Sequence, residues 1–176
     1  YVVGGFNGHD VHCSAEVYKK GKWKMIRPMS SRRSGVQAIG FEGKLYVVGG
    51  WNGHDRLTSG EVFDPKKNTW NPLPDMIVPR SNFCLDIVNG QLMAFGGYDG
   101  HTVTARAEIL NWSTNAWEEV GSLPSPRSAL SGVSVPSKAL HRSFVDEIRS
   151  YCSLKVPDLQ NNFEDSSSSS EEDLDT

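Results

Sequence analysis

The chain has 176 residues, and its 18 lysines and arginines against 21 aspartates and glutamates leave a formal charge of −3. Seven of those acids lie after position 157, where there is no lysine or arginine, so residues 1–157 carry +4, too weak and scattered a surplus to argue for nucleic acid. Three cysteines at long spacings (Cys13, Cys84, Cys152) form no Cys-x-x-Cys and argue against a disulfide framework or zinc site, and no apolar run reaches membrane-spanning length. The expectation is a cytoplasmic protein with no nucleic-acid or membrane partner.

Strands are predicted at 1–5, 14–19 and 22–26, then at 34–41, 43–49, 59–64 and 68–73, then at 81–88, 91–97, 106–111 and 115–120, with a last one at 128–135. Alternation supports them: Val36, Ala38 and Gly40 face opposite to Gln37 and Ile39, and Asp64-Pro65-Lys66-Lys67-Asn68 reads as a turn between two strands. After Pro136 the pattern changes. Leu140, Phe144, Ile148 and Tyr151 recur at helical spacing, which predicts a short amphipathic helix from an N-cap at Ser137 to about Cys152, so that 136–157 is helix and linker. Residues 158–176, with five serines from Ser166 to Ser170 before Glu171-Glu172-Asp173, are too polar and like-charged to bury a core and are predicted to be disordered. Ser168, Ser169 and Ser170 each have an acid three residues later, a pattern that suits an acid-directed kinase.

Residues 1–135 are a repeat. Gly4-Gly5, Gly49-Gly50 and Gly96-Gly97 each follow an apolar strand, 45 and then 47 residues apart, and each leads into an aromatic (Phe6, Trp51, Tyr98) and then Asn-Gly-His or Asp-Gly-His. A glutamate follows at Glu16, Glu61 and Glu108, a tryptophan at Trp23, Trp70 and Trp117, and an Arg-Ser pair at Arg33-Ser34, Arg80-Ser81 and Arg127-Ser128. Glycines after a strand permit positive φ and close backbone approach. The tryptophan is expected to fill space between neighbouring sheets, the arginine to stack on it or bond loop carbonyls, and the glutamate to be a buried structural hydrogen-bond acceptor.

A period close to 50 with four short strands per unit resembles the kelch family of β-propellers. The resemblance implies an all-β fold, a partial kelch β-propeller of about three of six blades, each a four-stranded antiparallel sheet. Tyr1 then falls in the second strand of a blade whose first strand is expected outside the chain, and 128–135 matches the start of a fresh blade; in kelch propellers the final strand commonly completes the first one. Half a ring would expose apolar sheet faces, so residues 1–135 alone are expected to be unstable or prone to aggregate.

His9, His54 and His101 sit at equivalent loop positions of three different blades, a spread that argues against a shared metal ion; His12 and His141 carry no motif. Some kelch propellers are copper radical oxidases, but no tyrosine, cysteine and histidine constellation stands apart from the repeat, and neither a nucleophile elbow nor a phosphate loop occurs. The expectation is a non-enzyme with no catalytic residue, metal or cofactor.

In kelch substrate receptors the positions matching the post-diglycine aromatics (Phe6, Trp51, Tyr98) and the repeat serines (Ser34, Ser81, Ser128) come together at one end of the channel, often joined by the residue six after the diglycine, here Val11, Arg56 and Val103. Rigid aromatic area, hydroxyls and a guanidinium fork suit a peptide ligand, with Trp51 and Arg56 as anchors. The plainer alternative is that the serines cap turns and the aromatics shield loop backbone. Arg32-Arg33-Ser34-Gly35-Val36, Asn68-Thr69-Trp70, Pro79-Arg80-Ser81-Asn82-Phe83 and Arg127-Ser128-Ala129-Leu130-Ser131 further resemble the kelch-like family. That resemblance implies a homodimeric adaptor whose propeller captures a protein substrate, with cullin-3 engaged through BTB and BACK domains that are not part of this sequence. An actin-binding cytoskeletal kelch protein is the alternative.

Overall fold

The computed structural model of the chain describes residues 1–135. The helix expected from Ser137 and the tail expected from 158 lie outside the described residues.

Among the described residues, eleven strands form three antiparallel sheets, each a meander in chain order. The first is three-stranded: β1 (Val2–Val3), β2 (Ala15–Lys19) and β3 (Lys22–Ile26). The second has four strands, β4 (Gln37–Phe41), β5 (Lys44–Val48), β6 (Gly60–Asp64) and β7 (Thr69–Leu73), and so has the third, β8 (Cys84–Val88), β9 (Gln91–Phe95), β10 (Arg106–Asn111) and β11 (Ala116–Ser122). Two-residue turns at Lys20-Gly21, Glu42-Gly43 and Asn89-Gly90 place both residues at positive φ, the backbone twist that suits a tight hairpin between right-twisted strands. The longer turns are closed by side chains: Asp64 Oδ1 accepts the Lys66 N–H at 2.9 Å, and Asn111 Oδ1 accepts the Ser113 N–H at 2.9 Å.

Successive sheets stack face to face, and strand alternation supplies both faces. Tyr46 and Val48 point toward the third sheet and meet Phe83, Leu85, Leu92, Ala94, Leu110 and Trp117, joined by Ile39 and Phe41 from β4. Leu45, Val47 and Phe63 point the other way and meet Met29, Val3 and Ile26. A strand buried on both faces reads as a continuous apolar run, which is why Leu45-Tyr46-Val47-Val48 carries no polar residue. Two of the three repeated tryptophans occupy these seams as expected: Trp117 is 5% exposed and donates from Nε1 to Pro74 O at 3.0 Å, and Trp70 donates to Arg27 O at 2.7 Å, whereas Trp23 is 54% exposed and fills no seam among the described residues.

The diglycines are needed for contact between repeats. Gly49 has φ +66°, and a Cβ there would stand 2.6 Å from Arg80 O and 2.8 Å from the Phe83 ring. Its neighbour Gly50 donates its N–H to that same Arg80 carbonyl at 2.7 Å, so the chain of the next repeat packs directly on the glycine backbone.

Residues 128–135 depart from expectation, since they form no strand. They run beside β8, held by Ala129 N–H to Asn82 O at 2.8 Å and Ser134 Oγ to Ile87 O at 2.9 Å. In the second and third sheets the strand at this phase pairs with the strand that ends in a diglycine, β4 with β5 and β8 with β9. No fourth diglycine strand follows in the sequence, so the segment has no ladder to join. The first predicted strand, 1–5, contracts to Val2–Val3 because its glycines turn the chain out of the sheet.

A candidate protein-interaction face

Each diglycine opens a loop of the same construction. Asn7 Oδ1 accepts the His9 and Asp10 N–H groups at 2.9 and 2.7 Å, Asn52 Oδ1 those of His54 and Asp55 at 2.8 and 2.9 Å, and Asp99 Oδ1 those of His101 and Thr102, both at 2.7 Å. The side chain thus imitates a backbone turn, and a glycine supplies the positive φ that follows: Gly8, Gly53 and Gly100, at 99°, 111° and 110°. The histidines are exposed at three separate loop tips, and among the described residues no group of three or more His, Cys, Asp or Glu stands close enough to hold a metal ion. These N–H donors, Thr102 first and then His101, hold the Asp99 carboxyl below the usual aspartate range.

The loop ends are tied by backbone bridges that align the predicted site residues. Phe6 pairs with Val11, Trp51 with Arg56 and Tyr98 with Val103. Trp51 and Tyr98 are flanked on their other side by the serine of the preceding Arg-Ser: Ser34 and Trp51 exchange both N–H···O bonds at 2.8 Å, and Ser81 and Tyr98 do so at 3.0 and 2.9 Å. The result is a row, Ser34, Trp51, Arg56, Ser81, Tyr98. Phe6 joins at one end, its ring edge-on to Trp51 at 6.3 Å. Ser128, at the same phase, makes no such bridge among the described residues, for the reason that leaves 128–135 unpaired.

Arg56 organises the row. Its guanidinium lies 5.5 Å from the Trp51 ring centroid and 4.9 Å from that of Tyr98, and its Nε donates to Ser81 Oγ at 3.3 Å. Two aromatic faces and one hydroxyl fix the fork, while its two terminal nitrogens have no protein acceptor among the described residues. Trp51 Nε1 is likewise buried without a partner. Two of the serines differ in availability: Ser81 is 2% exposed and engaged by Arg56, whereas Ser34 is half-buried. Ser81 therefore acts by positioning Arg56.

Under the row lies a buried polar layer that single-residue reading resolves only in part. Glu61 and Glu108 are acceptors, as expected, and Arg33 and Arg80 bond loop carbonyls, one of the two expected alternatives, whereas Glu16 is only half-buried and Arg127 is exposed, and neither side chain makes such a bond among the described residues. Arg33 and Arg80 each also reach the glutamate of the sheet they lead into: Arg33 Nη2 to Glu61 Oε1 at 3.2 Å, and Arg80 Nη2 to Glu108 Oε1 at 2.6 Å. Arg80 Nη1 also donates to Gly96 O and Arg106 O at 2.7 Å each, and Glu108 accepts the Ile77 and Val78 N–H groups at 2.7 and 3.1 Å. Burial drives the Arg33 guanidinium down from its ordinary value, and Glu61 opposes it. The clue in the sequence is the constant offset of 28 residues between arginine and glutamate in both pairs.

The Kelch motif family matches residues 1–30, 32–77 and 79–124, bounds that coincide with the three sheets and their loops. The chain belongs to the kelch-repeat family. Its sheets are therefore kelch blades, and the aromatic and serine row lies in the loops of a kelch propeller, a class of interaction domain. The solved structure titled "Structure of YjhT" is similar in fold, with a TM-score of 0.57 and 16% identity over 69% of this chain and 51% of that one, so this kelch chain spans about half the length of that relative. No curated protein matches.

Proposed function

We propose that these kelch blades form the substrate-recognition part of a kelch-like adaptor for a cullin-3 ubiquitin ligase, binding a protein segment across the row from Phe6 to Tyr98. The observation that carries the recognition reading is Arg56, held by Trp51, Tyr98 and Ser81 with its terminal nitrogens unused. A pre-ordered guanidinium loses little freedom on meeting a carboxylate, and the flanking rings offer rigid contact area. The ligase reading is supported by the resemblance of the Arg-Ser strings to the kelch-like family; among its members they most resemble kelch-like protein ten, associated with male germ cells. The adaptor itself performs no covalent chemistry and acts by raising the substrate's effective concentration beside the ubiquitin-loaded enzyme.

The test is capture of cellular proteins by the propeller and by Trp51→Ala/Arg56→Ala, with circular dichroism as a folding control. Capture is expected to fall at least tenfold at unchanged fold, each lost anchor removing about 2 kcal/mol or more of binding. Captured proteins that accumulate when cullin-3 is inhibited support the ligase coupling. Unchanged capture by the variant overturns the site, and co-sedimentation with actin filaments transfers the function to the cytoskeleton.

A further inference from the structure

The hairpin of β2 and β3 carries Lys19, Lys20, Lys22 and Lys24, and residues 17–27 contain no aspartate or glutamate. The strand register gathers three of these lysines: Lys19↔Lys22 closes the hairpin, and Val17↔Lys24 is the next pair on the same face. That face continues through Ala15↔Ile26, and Ile26 packs on the core that holds Leu45, Val47 and Phe63 of the second sheet. The lysines therefore stand on the side of the first sheet that the second sheet covers, beyond the reach of its core. All four are exposed, and none makes an ion pair among the described residues. Together they are the whole lining of an open cleft of about 460 Å³.

The blade does not require lysine here. The equivalent closing pairs are Asp64↔Thr69 in the second sheet and Asn111↔Ala116 in the third, and Asn71 and Glu118 stand where the first sheet has Lys24. Asp64 and Asn111 accept the Lys66 and Ser113 N–H groups and so close their turns, whereas a lysine side chain has no acceptor to offer. Two further local costs accompany that loss. Lys19 and Lys22 set like charges directly across the ladder, and Lys20 takes φ +52°, a conformation in which Asn, Asp and Gly are favoured. Local rules broken together without a compensating contact point to a functional demand.

We infer that this hairpin is a binding site for an anion with clustered phosphate groups, either a free polyphosphorylated molecule or the headgroup of a phosphorylated inositol lipid. Four ammonium groups line one cleft, and each can meet a phosphate oxygen as a compact point charge. The lining has no aromatic ring on which a base could stack, which disfavours single-stranded nucleic acid. Cross-strand neighbours about 5 Å apart concentrate the charge more tightly than an extended acidic peptide matches, because its same-face carboxylates recur about every 7 Å. The hairpin lies at the end of the first sheet opposite the diglycine loop between β1 and β2, so the inference is independent of what the row binds.

Isothermal titration of the full 176-residue chain with inositol hexakisphosphate is expected to show one site. Lys19→Asn/Lys22→Thr/Lys24→Asn installs residues that the later blades carry at these positions, and should weaken binding about tenfold or more. Its urea midpoint should equal or exceed that of the wild type, because the repelling pair is gone, so lost binding will not reflect lost fold. Lys66→Asn/Lys67→Asn, in the turn of the second sheet, should leave binding nearly unchanged. Co-sedimentation with phosphatidylcholine vesicles containing phosphatidylinositol bisphosphate, lost in the triple variant, assigns a lipid headgroup; titration without co-sedimentation assigns a free anion. Absence of binding in both assays, binding that the triple variant retains, equal losses in the two variants, or tighter binding of a polyglutamate peptide than of inositol hexakisphosphate would each overturn the proposal.

Discussion

Asp99 stands where the first two repeats carry Asn7 and Asn52, and all three side chains accept the same two backbone N–H groups. Only the aspartate titrates. Its folded value is depressed, so its contribution to stability is full above the unfolded aspartate value and is lost as pH falls through the lower folded value. Asp99→Asn keeps the turn and removes that dependence; urea midpoints are expected to converge for the two proteins as pH falls from about 5 to 2, and a constant difference would show that the turn bonds do not select the ionised form. Arg80 is the residue on which the second seam most depends, fully buried with two carbonyls and a carboxylate as acceptors. Arg80→Ala leaves Glu108 buried without its countercharge and should cost about 3–5 kcal/mol in urea unfolding. A loss under about 1 kcal/mol would mean that water replaces the guanidinium at little cost.

The unit that repeats in this protein is the blade together with its seam, and the seam tolerates no added volume at the first glycine of each pair. Gly49→Ala brings a Cβ into the Arg80 carbonyl and the Phe83 ring at a positive φ, so a destabilisation of about 2–4 kcal/mol is expected, combining backbone strain with overpacking. Gly43→Ala, at positive φ in a turn where nothing lies within 4 Å, isolates the strain alone and should cost about 1 kcal/mol. Equal losses at the two sites, read from chemical denaturation, would show that the close approach at Gly49 relaxes freely. Strands, turns and blade limits were legible from sequence because glycine pairs and alternating residues act locally, through φ and the two-residue period of a strand. The segment 128–135 shows where that reading stops. It has the residues of a first strand and lacks a partner, and a ladder is a property of two segments.

At the scale of the molecule, the packing of one sheet on the next holds the array together, with Tyr46, Val48, Phe83, Leu85 and Trp117 buried between the second and third sheets. The sequence by itself determined the family, the three-fold repetition, the strand positions and the residue types of the interaction loops, since each is written in local spacing. Tertiary structure alone decided that Ser81 is buried and serves Arg56, that Arg56 is held between rings from two blades, and that Arg33 and Arg80 pair with Glu61 and Glu108. Apart from the Trp51 contact, those outcomes depend on residues 25 to 42 positions apart in the chain, which local spacing does not bring together.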